Sequence, residues 1–276
     1  MRIGIIGTEN SHADHIIDYL NVEGRFGETR VVALSGGESE RNQKLRALGQ
    51  LERLVDEPTE LLDLVDAVII TDRHGALHRA HAVPFLAAGL PVFVDKPLAC
   101  NETDARAIIA AAREYDAPLT SSSAVRWVPD TDFLATASVG PVQVVTTTGP
   151  ADPASEYAGI YFYGIHSVDV ALRLAPGELG DVRVERTADT IVATVEAGPT
   201  RVVVNLVLPG ADGQVPFHGM VVGRHGIAAR ELTLGPSYVE PGLRAFLEMA
   251  HTRRPPISYD DLVRPIQLLD AIAANI

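Results

Sequence analysis

Over the first 120 residues, short apolar runs and helical stretches alternate at least four times, and this rhythm constrains the fold more than any other property of the chain. Arg2–Gly7 runs into a glycine turn, Thr8–His12, and a helical stretch reaching Leu20. Arg30–Ser35 precedes a helix from Glu38 to Leu48 that Gly49 stops, and Asp66–Thr71 precedes one from Gly75 to Ala88 that Gly89 stops. Val92–Val94 then leads through Asp95-Lys96-Pro97 to a helix from Glu102 to Tyr115 and a short strand, Ala117–Thr120. These runs are apolar throughout instead of alternating, so both faces of each strand are buried, which is the habit of a parallel sheet covered by helices. The expectation is an α/β fold whose N-terminal part is a Rossmann-type, doubly wound parallel sheet.

Past Ser121-Ser122-Ser123 the rhythm changes. A helix from Asp130 to Ser138, a strand Val142–Thr147, a segment Tyr157–Tyr163 and a helix from Gly164 to Leu174 come first. Four strand-like runs then follow without intervening helices: Val182–Arg186, Thr190–Glu196, Arg201–Leu208 and Phe217–Val222. Helices at Gly242–Thr252 and Asp260–Ala274 close the chain. The reading is two domains, 1–121 and 122–276, the second an α+β domain with an open antiparallel or mixed sheet. The last helix is free to pack back on the first domain.

Charge and cysteine usage narrow the partners. With 36 acidic against 23 basic side chains the formal charge is -13, which repels phosphate backbones and anionic lipid and leaves small-molecule chemistry as the default. The lone Cys100 cannot form an internal disulfide, no apolar run approaches the roughly 18 residues of a membrane span, and no signal peptide is expected ahead of the first strand. A cytoplasmic protein is expected.

Ligands of open α/β sheets sit beyond the carboxyl ends of the strands, and several polar residues fall there. Asp95 and Lys96 end one strand, with Pro97 keeping Lys96 extended; the alternative is a solvated Lys before a turn. Thr71, Arg73 and His74 end another. His74, His78 and His81 recur at helical spacing, the spacing metal ligands use, but neither Cys nor an acidic partner joins them, so no metal is assigned. Ser122 and Arg126 follow the last strand and could take substrate hydroxyls or a carboxylate, or form a hydroxyl-rich hinge.

Taken in order, several of these pieces form a pattern. Ile5-Ile6-Gly7 with His15, His78 before Val94-Asp95-Lys96-Pro97-Leu98, Arg126-Trp127, Gly164-Ile165-His166-Ser167-Val168-Asp169, and Arg254-Pro255-Pro256-Ile257-Ser258-Tyr259-Asp260-Asp261 make the chain resemble the glucose-fructose oxidoreductase and inositol dehydrogenase (Gfo/Idh/MocA) family. The resemblance implies a nucleotide-binding domain, a sheet domain often used for homo-oligomerisation, and hydride transfer between NAD or NADP and a sugar, cyclitol or other polyhydroxy compound. It places the cofactor on the loop holding Gly7, Thr8, Asn10, Ser11 and His12, with Thr71, Arg73, His74, His78, Asp95 and Lys96 around it. Lys96 would stabilise the reacting oxygen and His166, matching the family's catalytic His, would be the acid/base, since imidazole titrates near neutrality.

The chain departs from the family at three places. Gly7 holds the first glycine position, but Glu9 and His12 stand at the second and third; Ser11 and Asp14 there read equally as a helix start. Gly36 replaces the acidic residue that holds the ribose, so Glu38 is the substitute for NAD, or Ser35 and Arg41 for the 2'-phosphate of NADP. Phe162 stands four residues before His166, where the family places Asp, leaving Tyr161 as a substrate contact, Tyr163 as a proton donor or relay, and Asp169 at i+3 as a partner of the imidazole. These departures keep two alternatives open: a relative without hydride transfer that binds ligands or regulates, and a metal-dependent lyase or isomerase.

Overall fold

The computed structural model describes residues 1–210 and 215–276. They divide into two compact units, the first made of 1–99, 103–122 and 239–262, the second of 100–102, 123–238 and 263–276.

In the first unit, β1 (Arg2–Ile6), β2 (Arg30–Ser35), β3 (Arg53–Val55), β4 (Ala67–Ile70), β5 (Val92–Asp95) and β6 (Leu119–Ser122) form one sheet in the order β3-β2-β1-β4-β5-β6. Every pairing is parallel. Strand order therefore reverses between β1 and β4, the switch point beside which doubly wound sheets open a ligand crevice. The helices α1 (Ser11–Ile17), α2 (Ser39–Gly49), α3 (His78–Ala87) and α4 (Glu102–Glu114) follow β1, β2, β4 and β5. Ile3, Ile5, Val68, Ile69, Val92 and Val94 are fully buried, each such side chain stabilising the fold by about 1.5–3 kcal/mol. Phe93 stacks on Phe246 of α7 (Glu240–Thr252) with ring centroids 5.7 Å apart.

The second unit holds α5 (Pro129–Ala135), β7 (Val142–Pro150), α6 (Ile160–Leu174), β8 (Arg183–Arg186), β9 (Thr190–Ala197), β10 (Thr200–Val207), β11 (His218–Gly223) and β12 (Ile227–Glu231). Its sheet runs β12-β11-β7-β10-β9-β8 and is mixed, β7 and β10 being parallel and the other neighbours antiparallel. Val145, Val202, Val204 and Leu206 turn one face to α6, while Val144, Thr146, Val203 and Val207 alternate onto the other face and stay half-exposed. The last helix, α8 (Tyr259–Ala273), contributes residues to both units.

Several boundaries differ from the sequence reading. The strands β3 and β12 carry no sequence signal: one is three residues long and the other is a polar edge. The helix α6 starts at Ile160 instead of Gly164, because Gly159 turns the chain at φ +58° and lets Tyr161, Phe162 and Tyr163 form its first turn. Ser121 and Ser122 belong to β6, so only Ser123 of the triplet lies past the strand.

Candidate active site

Polar residues of the first unit collect at the carboxyl ends of its strands. Gly7 follows β1 with φ +77°, and a Cβ there would lie 2.5 Å from the Asp72 backbone nitrogen, so no side chain fits. Its N–H donates to Ser35 O at 2.9 Å and its carbonyl accepts from Thr71 Oγ1 at 2.5 Å, which pins the ends of β1, β2 and β4 together. Gly36 and Gly37 are also left-handed, and a Cβ on Gly37 would meet Thr8 Oγ1 at 2.0 Å. That hydroxyl donates to Asn42 Oδ1 at 2.6 Å, and Asn42 Nδ2 donates to Gly36 O at 2.6 Å.

At the two departures from the glycine pattern the side chains take different courses. Glu9 is exposed, as is Ser11, whereas His12 is buried at 8 % exposure. Its Nδ1 lies 2.9 Å from Asp95 Oδ2, the oxygen that also accepts from Asn10 Nδ2 at 2.9 Å, and Asn10 Oδ1 caps α1 by accepting from His12 N. A carboxylate only accepts, so Nδ1 carries a proton. Burial alone would raise the Asp95 pKa, but the charge and hydrogen bond of His12 and the charge of Lys96 outweigh it and hold the carboxyl at about 2. Asp95 is thus an anchor between β5 and the loop after β1, not a proton carrier near neutrality.

Lys96 is buried beside it, at a cis peptide with Pro97. The fully buried His78 ring sits between two carbonyls, Nδ1 2.7 Å from Pro97 O and Nε2 3.1 Å from Asp72 O. Burial lowers its pKa, and because a neutral imidazole has a single N–H it then donates to only one of the two carbonyls, while the ring packs between the turn after Lys96 and the end of β4. His81 pairs with the Asp72 carboxylate at 2.7 Å, a hydrogen bond that raises its pKa, and His74 Nδ1 accepts from Ala76 N at 3.2 Å. Of the three histidines of the sequence motif, His78 and His81 thus meet the carbonyl and the carboxylate of Asp72 while His74 caps its own turn, and among the described residues no three His, Cys, Asp or Glu side chains gather to hold a metal. Arg73 is half-buried in the same loop.

The two ribose alternatives are also distinguishable. Ser35 is fully buried and its hydroxyl meets no hydrogen-bond partner among the described residues, while the Arg41 guanidinium bonds Thr8 O, Asn10 O and the Asp14 carboxylate. Glu38 is exposed at the start of α2, beside a groove of about 320 Å³ that Asp14, Glu40, Arg41 and Lys44 also line. These features fit a dinucleotide: glycine backbones at positions 7, 36 and 37 leave the strand ends clear of side chains, and neither Glu9 nor His12 obstructs them.

In the second unit the polar network centres on α6. His166 Nδ1 lies 2.6 Å from Ser123 Oγ, and that oxygen also accepts from Val125 N at 3.1 Å. The Ser123 N–H donates to Asp169 Oδ2 at 2.8 Å, and Arg126 Nη1 donates to Asp169 Oδ1 at 2.6 Å. Asp169, one turn from His166, therefore anchors Ser123 and Arg126. Phe162 is buried with its ring 5.0 Å from Tyr157 and 4.7 Å from Tyr163, and Tyr163 is 40 % exposed with its ring 6.5 Å from the imidazole. The Tyr161 hydroxyl donates to Asp270 Oδ1 at 2.5 Å, and burial together with that bond pushes its pKa well above the phenol range. Ser122 ends β6 in register with Asp95 and is buried.

Sequence reasoning overlooked the links, not the residues. His12 with Asp95 and Ser123 with His166 are 83 and 43 positions apart, and nothing local distinguishes Ser123 from Ser121 or Ser122.

The fold and the glycine-lined strand ends define a dinucleotide-binding type of α/β protein. Residues 1–122 match the oxidoreductase family with an NAD-binding Rossmann fold, Gfo/Idh/MocA. It is 27 % identical over 230 residues to D-apiose dehydrogenase of Paraburkholderia graminis, covering 72 % of this chain and 58 % of that protein. It is 32 % identical over 113 residues to inositol 2-dehydrogenase 1 of Saccharopolyspora erythraea, covering 40 % of this chain and 32 % of that one. The matched segments thus span less than two thirds of these curated relatives. Among solved structures, myo-inositol dehydrogenase from Lactobacillus casei in complex with NAD(H) and myo-inositol superposes with a TM-score of 0.80, at 19 % identity over 98 % of this chain and 93 % of that one.

Proposed function

We propose that the chain is an NAD-dependent dehydrogenase that moves a hydride between a carbinol carbon of a sugar, cyclitol or related polyol and the nicotinamide. The observation that carries this reading is Lys96, buried at the carboxyl end of β5 in the part of the chain that matches the NAD-binding family. The names of the relatives, apiose and inositol dehydrogenases, supply the polyol class.

The residues divide the work as follows. Backbone at Gly7, Thr8, Gly36 and Gly37 receives the dinucleotide, and the exposed Glu38 accepts from the ribose diol. Arg41 is already bonded to the Asp14 carboxylate, and a 2'-phosphate would have to break that pair, which favours NAD over NADP. When bound, the oxidised nicotinamide supplies the hydride acceptor. The family resemblance gives Lys96 of the first unit the role of stabilising a developing alkoxide and His166 of the second unit that of the acid/base. Asp95 and His78 keep Lys96 in place from either side along the chain. We read the protein as a cytoplasmic homo-oligomer, in keeping with the half-exposed Val144, Thr146, Val203 and Val207 on the open sheet face; no helix among the described residues is long and apolar enough to cross a membrane.

Calorimetric titration with NADH and NADPH, followed by turnover on a panel of aldoses and inositols, tests this reading. NADH binding tighter than NADPH, with reduction of NAD by at least one polyol, is the expected result. Absence of binding by either cofactor at millimolar concentration overturns it and returns the chain to the ligand-binding alternative.

A further inference from the structure

We propose that Ser123 is the positioning residue of the acid/base: it holds the His166 proton on Nδ1, so that Nε2 is the nitrogen that accepts the substrate's proton. This deepens the dehydrogenase reading and rests on it.

The geometry begins with how firmly Ser123 is itself held. The residue is 1 % exposed, its N–H is bonded to Asp169 Oδ2 at 2.8 Å, and Asp169 is fixed in turn by Arg126 at 2.6 Å. Arg126 Nη1 also reaches the Asp169 carbonyl at 3.3 Å, so the guanidinium grips α6 one turn after His166. With φ -68° and ψ 141°, Ser123 is the cap of the short 3-10 turn Ala124–Trp127, and its Oγ already accepts from Val125 N. A serine oxygen has two lone pairs and one proton. One lone pair is spent on Val125, and the oxygen lies 2.6 Å from His166 Nδ1, to which it presents either its second lone pair or its proton. The Phe217 ring stands edge-on to the imidazole at 5.3 Å and limits its rotation.

Two tautomers could satisfy this contact, and they differ in consequence. If the serine O–H donated to Nδ1, the neutral ring would carry its proton on Nε2 and could accept another only by breaking that bond. If Nδ1–H donates to Oγ, Nε2 carries the lone pair, and the same hydrogen bond survives when the ring becomes an imidazolium. In the second arrangement the substrate O–H bond breaks, an Nε2–H bond forms, and the C–H electron pair leaves as hydride to the oxidised nicotinamide. No heavy atom of the support has to move. A fixed, neutral acceptor behind the ring orients it without a carboxylate, which suits a helix turn where Phe162 stands four residues before His166.

The test is the tautomer of His166, read from imidazole 15N shifts of the full chain without cofactor, with the resonance assigned through His166→Gln. Wild type is expected to show a protonated Nδ1 and a bare Nε2 in the neutral ring, and Ser123→Ala to show a mixture. Ser123→Thr, which keeps the hydroxyl, should restore the wild-type pattern. In turnover, Ser123→Ala should lower kcat by about tenfold to a hundredfold, a partial loss of the roughly 10²–10⁴-fold that acid/base assistance supplies, with the cofactor Kd unchanged. A wild-type ring protonated on Nε2, or a Ser123→Ala ring with an unaltered tautomer, overturns the proposal and leaves Ser123 as a turn cap. Failure of any cofactor to bind sinks the dehydrogenase reading instead, and the tautomer measurement still decides the role of Ser123.

Discussion

Replacing Asp95 by asparagine separates an electrostatic anchor from a merely packed residue. The carboxyl is 3 % exposed and accepts from both Asn10 and His12 at 2.9 Å, and its pKa falls from 3.8 to about 2 because His12 and Lys96 together outweigh the burial that would raise it. That difference corresponds to about 2 kcal/mol of folding stability. A carboxyl whose folded value lies below its unfolded one stabilises the fold fully above the unfolded value of 3.8 and loses that contribution as pH falls through about 2. Asp95→Asn should therefore cost about 2 kcal/mol at neutral pH and at pH 5, and about half of that near pH 3. Urea unfolding of both proteins at the three pH values, followed by circular dichroism, gives the differences directly. A cost below about 0.5 kcal/mol at neutral pH, or one that does not shrink towards pH 3, refutes the argument that charge holds this loop.

Other substitutions probe the remaining parts of the first unit. Lys96→Ala should lower kcat by about a hundredfold to a thousandfold, as expected for loss of a group stabilising a developing alkoxide, with a native dichroism spectrum; unchanged turnover would make Lys96 a bystander. Gly7→Ala should cost about 2 kcal/mol or more, since the left-handed backbone alone costs roughly 1–2 kcal/mol and the added Cβ would stand 2.5 Å from Asp72 N. Thermal melting checks this, and an unshifted midpoint contradicts it. His81→Ala should destabilise the chain below the unfolded imidazole pKa of about 6.5 and progressively less as pH rises through the higher folded value, because Asp72 stabilises the charged ring. Urea midpoints of wild type and variant that differ equally on both sides of that window would count against an ionised pair.

The parallel sheet was legible because its evidence is local. A run such as Val92–Asp95, apolar on both faces, needs no knowledge of its neighbours to be read as a buried strand, and the alternation with helices then dictates a doubly wound order. The positions of Lys96 and Thr71 at strand ends followed from the same pattern. Strands β3 and β12 were illegible for the converse reason, since three residues are too few to show a period and an exposed edge strand carries no hydrophobic one. The opening of α6 was hidden because Tyr161, Phe162 and Tyr163 are as compatible with a pocket wall as with a helical turn; packing of Phe162 against Tyr157 and the bond from Tyr161 to Asp270 decide the matter.

The poor glycine fingerprint has a structural resolution. A third glycine in such a loop serves close packing of helix against strand, and here His12 occupies that position without pushing the helix away, because its ring is buried against the end of β5. The carboxylate it reaches belongs to Asp95, one residue before Lys96. Loop and strand end are thereby coupled: whatever shifts the β1–α1 turn acts on the backbone that carries the lysine. Restoring glycine by His12→Gly would remove one of the two bonds to Asp95 Oδ2 and leave a buried carboxylate with less compensation. On this account His12→Gly lowers stability and loosens Lys96, whereas a loop limited only by crowding would gain both cofactor affinity and stability from the same change. Calorimetric NADH titration with urea unfolding of the variant separates these outcomes, and tighter binding without loss of stability would show that His12 is an obstruction and not a clamp.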